Sequence, residues 1–133
     1  MENRLSRVIS SKHEYERLRR KVEELEALAE RVTLPLSPLP KGGGSNLVDE
    51  NWAKLIDYKN KCAWLLVLYE AEARELEEEL ECIRNPNIRT AMKYRYIDDL
   101  TVEEIAERMS YSTRNIDRFL NTGRRIYYGY YPT

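Results

Sequence analysis

Residues 94–120 read YRYIDDLTVEEIAERMSYSTRNIDRFL, and their spacing of small and apolar positions predicts a helix-turn-helix. Thr101-x-x-Glu104 is a capping box that starts a short helix ending at Met109. Ala106 lies midway along it, where a crossing helix must approach closely and a larger side chain would push it away. Ile105 and Met109 flank it on the buried face, Tyr111 lies in the turn, and Ile116 and Phe119 recur on the inner face of the next helix. Ser112 caps that helix, which is expected to continue to Tyr128 and to end at Gly129 and Pro132. Its outward face would carry Ser112, Thr113, Arg114, Asp117, Arg118 and Asn121, with Arg124 and Arg125 prolonging the basic stripe. A second helix exposed in this way is the element that enters the DNA major groove in such motifs.

Upstream, the pattern is helical throughout. Val8, Ser11, Tyr15, Leu18, Val22, Leu25, Ala29 and Val32 alternate steps of three and four, an a/d seam over residues 3–32. Pro35, Pro38 and Pro40 break it, and TLPLSPLPKGGGSN, residues 33–46, reads as a connector. KGGGS within it lacks the Gly-Lys-Ser/Thr of a phosphate loop and no strand precedes it, so it is read as a turn between helices. A second helix is expected over 47–84, capped by Asn46, with Val48, Trp52, Leu55, Cys62, Leu66, Tyr69, Ala73, Leu76, Leu80 and Ile83 on its seam and Lys59 interrupting it. The first helix would fold back on the second as an antiparallel hairpin. Asn85-Pro86 starts a third helix that buries Ile88, Met92 and Ile97. The fold class is therefore all-α: a long helical hairpin over 1–84, with linker 33–46, followed by a compact three-helix helix-turn-helix domain over 85–133.

One stretch exceeds what a hairpin can bury. CAWLLVLY, residues 62–69, is apolar on every face of the helix for two turns. Cys62, Trp64, Leu65, Leu68 and Tyr69 are the candidates for self-association, with a dimer favoured.

Charge supports a partner for the C-terminal part. The chain has a formal net charge of −1, but residues 86–133 hold eight Lys/Arg against six Asp/Glu, whereas residues 1–85 hold fourteen against seventeen. The positive excess gathers where the reading helix is expected, and it implies modest, salt-sensitive affinity per copy. Arg114 and Arg118, one turn apart, each match guanine O6/N7 in bidentate geometry. Thr113 suits a base or a thymine methyl, Ser112 is more a cap than a reader, and Asn121, Arg124 and Arg125 suit phosphate. Lys93, Arg95 and the start of the 101–109 helix are weaker phosphate candidates. Asp117 would repel phosphate, accept from cytosine N4, or pair with a neighbouring arginine.

RYIDDLTVEEIAERMSYSTRNIDRFL resembles region 4 of bacterial primary sigma factors, in the Arg95-Tyr96 lead-in, the acidic-Leu-Thr turn, the Glu104-Ile105-Ala106 centre and the Ser-Thr-Arg-Asn start of the reading helix. The order of helix, SPLPKGGGSN segment, long helix and this motif is similar to a family of small phage and prophage proteins with a sigma-region-4-like domain, related to late-gene transcriptional activators. The resemblance covers roughly residues 28–127. It implies promoter DNA as partner and a contact with RNA polymerase, as region 4 itself makes. Ser110 departs from the pattern, because helix-turn-helix turns usually place Gly there for a positive φ, which costs a non-Gly residue roughly a kcal/mol.

Other classes find less support. His13 is the only histidine and no Cys-x-x-Cys occurs, so no metal, cofactor or catalytic constellation is expected. Cys62 and Cys82 read as small packing residues. Glu77-Glu78-Glu79 with Glu81 reads as a solvated helix face. In the C-terminal tyrosine cluster, Ile126 and Tyr127 are expected to close the small core. No apolar run is long enough to span a membrane and no signal-peptide core is present, so a cytoplasmic location is expected. Two rival functions remain: a DNA-packaging recognition subunit like the small subunit of phage terminases, and a helical adaptor for RNA polymerase or a sigma factor.

Overall fold

The computed structural model describes the backbone of residues 3–33 and 43–132, and the side chains of 3–31 and 50–132. It is all-α, with no strand among the described residues. A 3-10 turn at Arg4–Ser6 leads into α1 (Arg7–Thr33). Next come α2 (Gly43–Glu79), a 3-10 turn at Leu80–Cys82, α3 (Pro86–Tyr96), α4 (Val102–Met109) and α5 (Thr113–Tyr130).

Three boundaries differ from the sequence reading. α2 starts at Gly43, so Asn46 lies inside it rather than capping it. A helix once nucleated extends by one hydrogen bond per residue, and each glycine opposes this by only about 1 kcal/mol. α2 also ends at Glu79, with the last turn tightened to 3-10 geometry instead of continuing to 84. α5 runs through Gly129 to Tyr130, and Tyr131 closes it by donating its N–H to the Tyr127 carbonyl at 2.8 Å. A glycine with no positive φ and nothing packed on it need not end a helix. Residues 34–42 of the expected connector, including all its prolines, lie outside the described residues.

Compactness divides the chain at 11/12 and 68/69. Residues 12–68 form one unit, a pair of antiparallel segments of α1 and α2. Val22 and Leu55 are buried there, and Tyr15, Leu18, Leu25, Cys62 and Leu66 are half-buried, as the two seams require. Lys59, which interrupts the seam, reaches across it to Glu26 at 2.8 Å. Trp52 is 44 % exposed, so it lies at the margin of the seam rather than in it.

The other unit joins residues 1–11 to 69–133. Its core holds Ala91 and Met92 of α3, Ile105 and Ala106 of α4, and Ile116, Leu120 and Tyr127 of α5. The same core contains Leu5, Val8, Leu76, Leu80 and Ile83. The helix-turn-helix is thus built onto the paired ends of α1 and α2, across the 84/85 position where the sequence suggested a boundary. Polar groups bind the same corner. Ser11 Oγ donates to Glu72 at 2.6 Å, and Arg4 bonds Glu79, whose side chain is nearly buried. Tyr127 donates its hydroxyl to Glu79 at 3.1 Å. Burial, then the Glu79 carboxylate, hold the Tyr127 phenol far above its ordinary range. Arg4 also sits over the Tyr131 ring, 5.0 Å from its centroid.

Candidate nucleic-acid interface

α5 is fixed by local caps around the turn that precedes it. Thr101 Oγ1 accepts from the Glu104 N–H at 3.2 Å, and Glu104 accepts from the Thr101 N–H at 3.2 Å, so the predicted capping box is closed. α4 ends at Ser110 in the left-handed conformation, φ 59° and ψ 41°. That turn lets the Tyr111 N–H reach back to the Ala106 carbonyl at 3.1 Å. Ser112 then caps α5, accepting from the Asn115 N–H at 3.2 Å. Tyr111 stands edge-on to Phe119, centroids 5.2 Å apart, and accepts from Asn87 Nδ2 at 3.1 Å. The turn is therefore braced against both α3 and α5.

The two faces of α5 separate cleanly. Ile116, Leu120, Gly123 and Tyr127 are buried, and Phe119 and Ile126 are half-buried. Thr113, Arg114, Asp117, Arg118, Asn121 and Arg125 are exposed on the opposite side, as the helical period requires. α5 approaches α3 most closely at Gly123, where an added Cβ would lie 2.6 Å from Met92 Cγ and Sδ. The sequence reading missed this glycine, since its need arises from the partner helix.

The eight candidate residues have different local roles. Ser112 is exposed but its oxygen is occupied as the cap. Arg124 is half-buried, donates to the Tyr96 hydroxyl at 2.9 Å and bonds Asn121 Oδ1, so it braces α5 on α3. Thr113, Arg114, Asp117, Arg118 and Arg125 remain open. None of the ion pairs among the described residues involves Arg114, Arg118 or Arg125. Asp117 pairs with neither flanking arginine among those same ion pairs.

The weaker phosphate candidates are engaged within the chain. Lys93 Nζ lies 3.6 Å from Glu77 and 3.7 Å from Glu81, drawn to the acidic end of α2. Arg95 donates to the Leu100 carbonyl at 3.1 Å and holds the 97–100 turn. The N-terminus of α4 is closed by its own glutamate, with Glu103 beside it, which disfavours an anion there. Arg108 stacks over Tyr94 at 5.8 Å. Within residues 85–132, the positive charges left open are thus those on the outward face of α5.

The candidates for self-association divide. Trp64 is 70 % and Leu68 40 % exposed, whereas Cys62, Leu65 and Tyr69 are half-buried. Cys62 and Cys82 are free thiols. Ile56 and Val67, which were not singled out from the sequence, are more exposed than Leu68. Among the described residues, no group of three or more His, Cys, Asp and Glu could hold a metal ion, and no helix is long and apolar enough to cross a membrane. Comparison with protein-family models, curated proteins and solved structures finds no match to this chain.

Proposed function

We propose that this chain is a sequence-specific DNA-binding transcriptional regulator of phage or prophage type, which docks α5 in the major groove of promoter DNA. The observation that carries the reading is the outward face of α5, where Arg114, Arg118 and Arg125 stand exposed and without ion pairs on a helix capped at its start. Arg114 and Arg118 read guanine edges, Thr113 contacts a base or a thymine methyl, and Asp117 accepts from cytosine N4. Arg125 contacts phosphate, while Arg124 and Asn121 keep the helix in position. The regulator acts as a homodimer in the cytoplasm and, in keeping with its likeness to sigma region 4, touches RNA polymerase at the promoter.

The test is selection of bound fragments from a host or prophage genome at ~150 mM salt, where phosphate-only binding is weak. The expected result is one enriched motif upstream of late genes. Arg114→Ala or Arg118→Ala should each weaken that site by about 5- to 150-fold and relax one base position. Unchanged binding in the Arg114→Glu/Arg118→Glu double variant would overturn the reading. Enrichment at a packaging start, with rings of many copies, would favour the packaging subunit. No enrichment by folded protein would favour the adaptor.

A further inference from the structure

Arg124 holds two groups at once. Its Nη1 donates to the Tyr96 hydroxyl of α3 at 2.9 Å, and its Nη2 donates to Oδ1 of Asn121, one turn earlier on α5. A guanidinium is a flat fork whose donors keep fixed directions. With Arg124 half-buried and one arm anchored on the neighbouring helix, the other arm decides which way the Asn121 amide turns. The amide oxygen is turned to Arg124. Its Nδ2 enters no hydrogen bond among the described residues, not even with Asp117 one turn before it, and is the half left for a partner.

Asn121 is exposed and lies within the open stripe. It follows Arg114 by seven residues and Arg118 by three, and precedes Arg125 by four, which puts all of them on one side of the helix. The rise from Arg118 to Asn121 is about 4.5 Å, close to the ~3.4 Å of one base step. A helix lying along the groove therefore carries Asn121 about one step beyond the base that Arg118 reads. A free asparagine amide presents an acceptor and a donor side by side and matches adenine, accepting from N6 and donating to N7. Here the adenine amino group would have to donate to the oxygen that Arg124 already holds. That oxygen has a second lone pair, but the guanidinium beside it repels another donor. Cytosine presents an amino group as well. The group that suits a lone Nδ2 donor is a keto oxygen, O6 of guanine or O4 of thymine.

We infer that Asn121 reads the keto edge of guanine or thymine one base step beyond Arg118, and that Arg124 is the positioning residue that turns its amide to do so. This deepens the proposed function and rests on its docking of α5 in the major groove. It gives Asn121 a part in specificity beyond its share in the brace on α3.

The test is selection by the full chain from a duplex library randomised across the enriched motif, at ~150 mM salt. At the position beside the Arg118 base, guanine or thymine should be favoured over adenine and cytosine by about 5- to 10-fold, the lower end of the cost of one mismatched pair. Asn121→Ala, at an exposed position, should lose that preference and keep those at the bases read by Arg114 and Arg118. Arg124→Met keeps the apolar stem and removes the fork, so the freed amide should turn and the preference should move to adenine. A residue that only braced α5 would weaken all sequences alike. Tyr96→Phe, which leaves Arg124 without its anchor, should move the preference part of the way, and reads the same effect if Arg124→Met loses its helical circular dichroism. Uniform weakening of every sequence by Asn121→Ala would mean a phosphate contact; that result, or no change at all, would overturn the inference and leave DNA reading in place. A guanine-or-thymine preference untouched in folded Arg124→Met and Tyr96→Phe would overturn the role of Arg124. No enriched motif with folded protein would overturn both this inference and the reading on which it rests.

Discussion

Ser110 carries a strained local conformation in the turn between α4 and α5. Its φ of 59° is one that an L-residue with a Cβ adopts at a cost of roughly 1–2 kcal/mol. Ser110→Gly should therefore stabilise the fold by about 1 kcal/mol, less what the glycine adds to unfolded-chain entropy, and raise Tm by a few degrees in a thermal melt. Ser110→Val should lower it. Asp99 has a similar φ of 58°, but Asp tolerates this region better. The sequence made Ser110 legible because the position is defined by local spacing from Ala106 and Ser112. It could not show that Arg124 is held by Tyr96, since that bond joins residues 28 apart on different helices.

The helices themselves were legible where their signals are local. Thr101, Ser112 and Asn85 cap the helices they were expected to cap, because a capping side chain bonds backbone within three residues of itself. Contacts between helices were not. Gly123 illustrates this, as the sequence gives no sign that α3 passes over it. In a helix interior, Gly→Ala would ordinarily gain about 1 kcal/mol. Here the new methyl meets Met92, which is fully buried and has little free space to move into. Gly123→Ala should destabilise by about 1–3 kcal/mol in urea unfolding. The double variant Gly123→Ala/Met92→Ala should fall short of the sum of the two single losses, because each change relieves the other. Additive losses would mean that the close approach is not what requires glycine.

At the level of the whole molecule, hydrophobic periodicity identified which residues turn inward but not which distant residues they meet. The a/d reading included Val8, Leu76 and Leu80, yet assigned them to a hairpin separate from the helix-turn-helix. They share one core with Ile105, Ile116 and Tyr127, together with Leu5, which has no exposed surface. Removing a buried Leu side chain costs about 2–5 kcal/mol, so deletion of residues 1–8 should strip protection from α5 in hydrogen exchange while leaving the 12–68 unit helical. Unchanged protection of α5 would show that the helix-turn-helix stands without the start of the chain. The candidate site was legible to the extent that exposure follows the helical period. The division of its arginines into exposed, unpaired ones and internal braces was not, because it depends on tertiary contacts.

Because Leu5 and Tyr127 complete the same core, the order of synthesis matters. The segment holding Leu5 leaves the ribosome long before α5 has been made; Leu76, Leu80 and Ile83 can meet it first, but the core around it is completed only by α5. Contacts of such sequence separation close slowly. The core is therefore closed only once α5 itself has been made, and a product stalled or shortened before it displays the incompletely covered Leu5 and Val8 to chaperones and proteases.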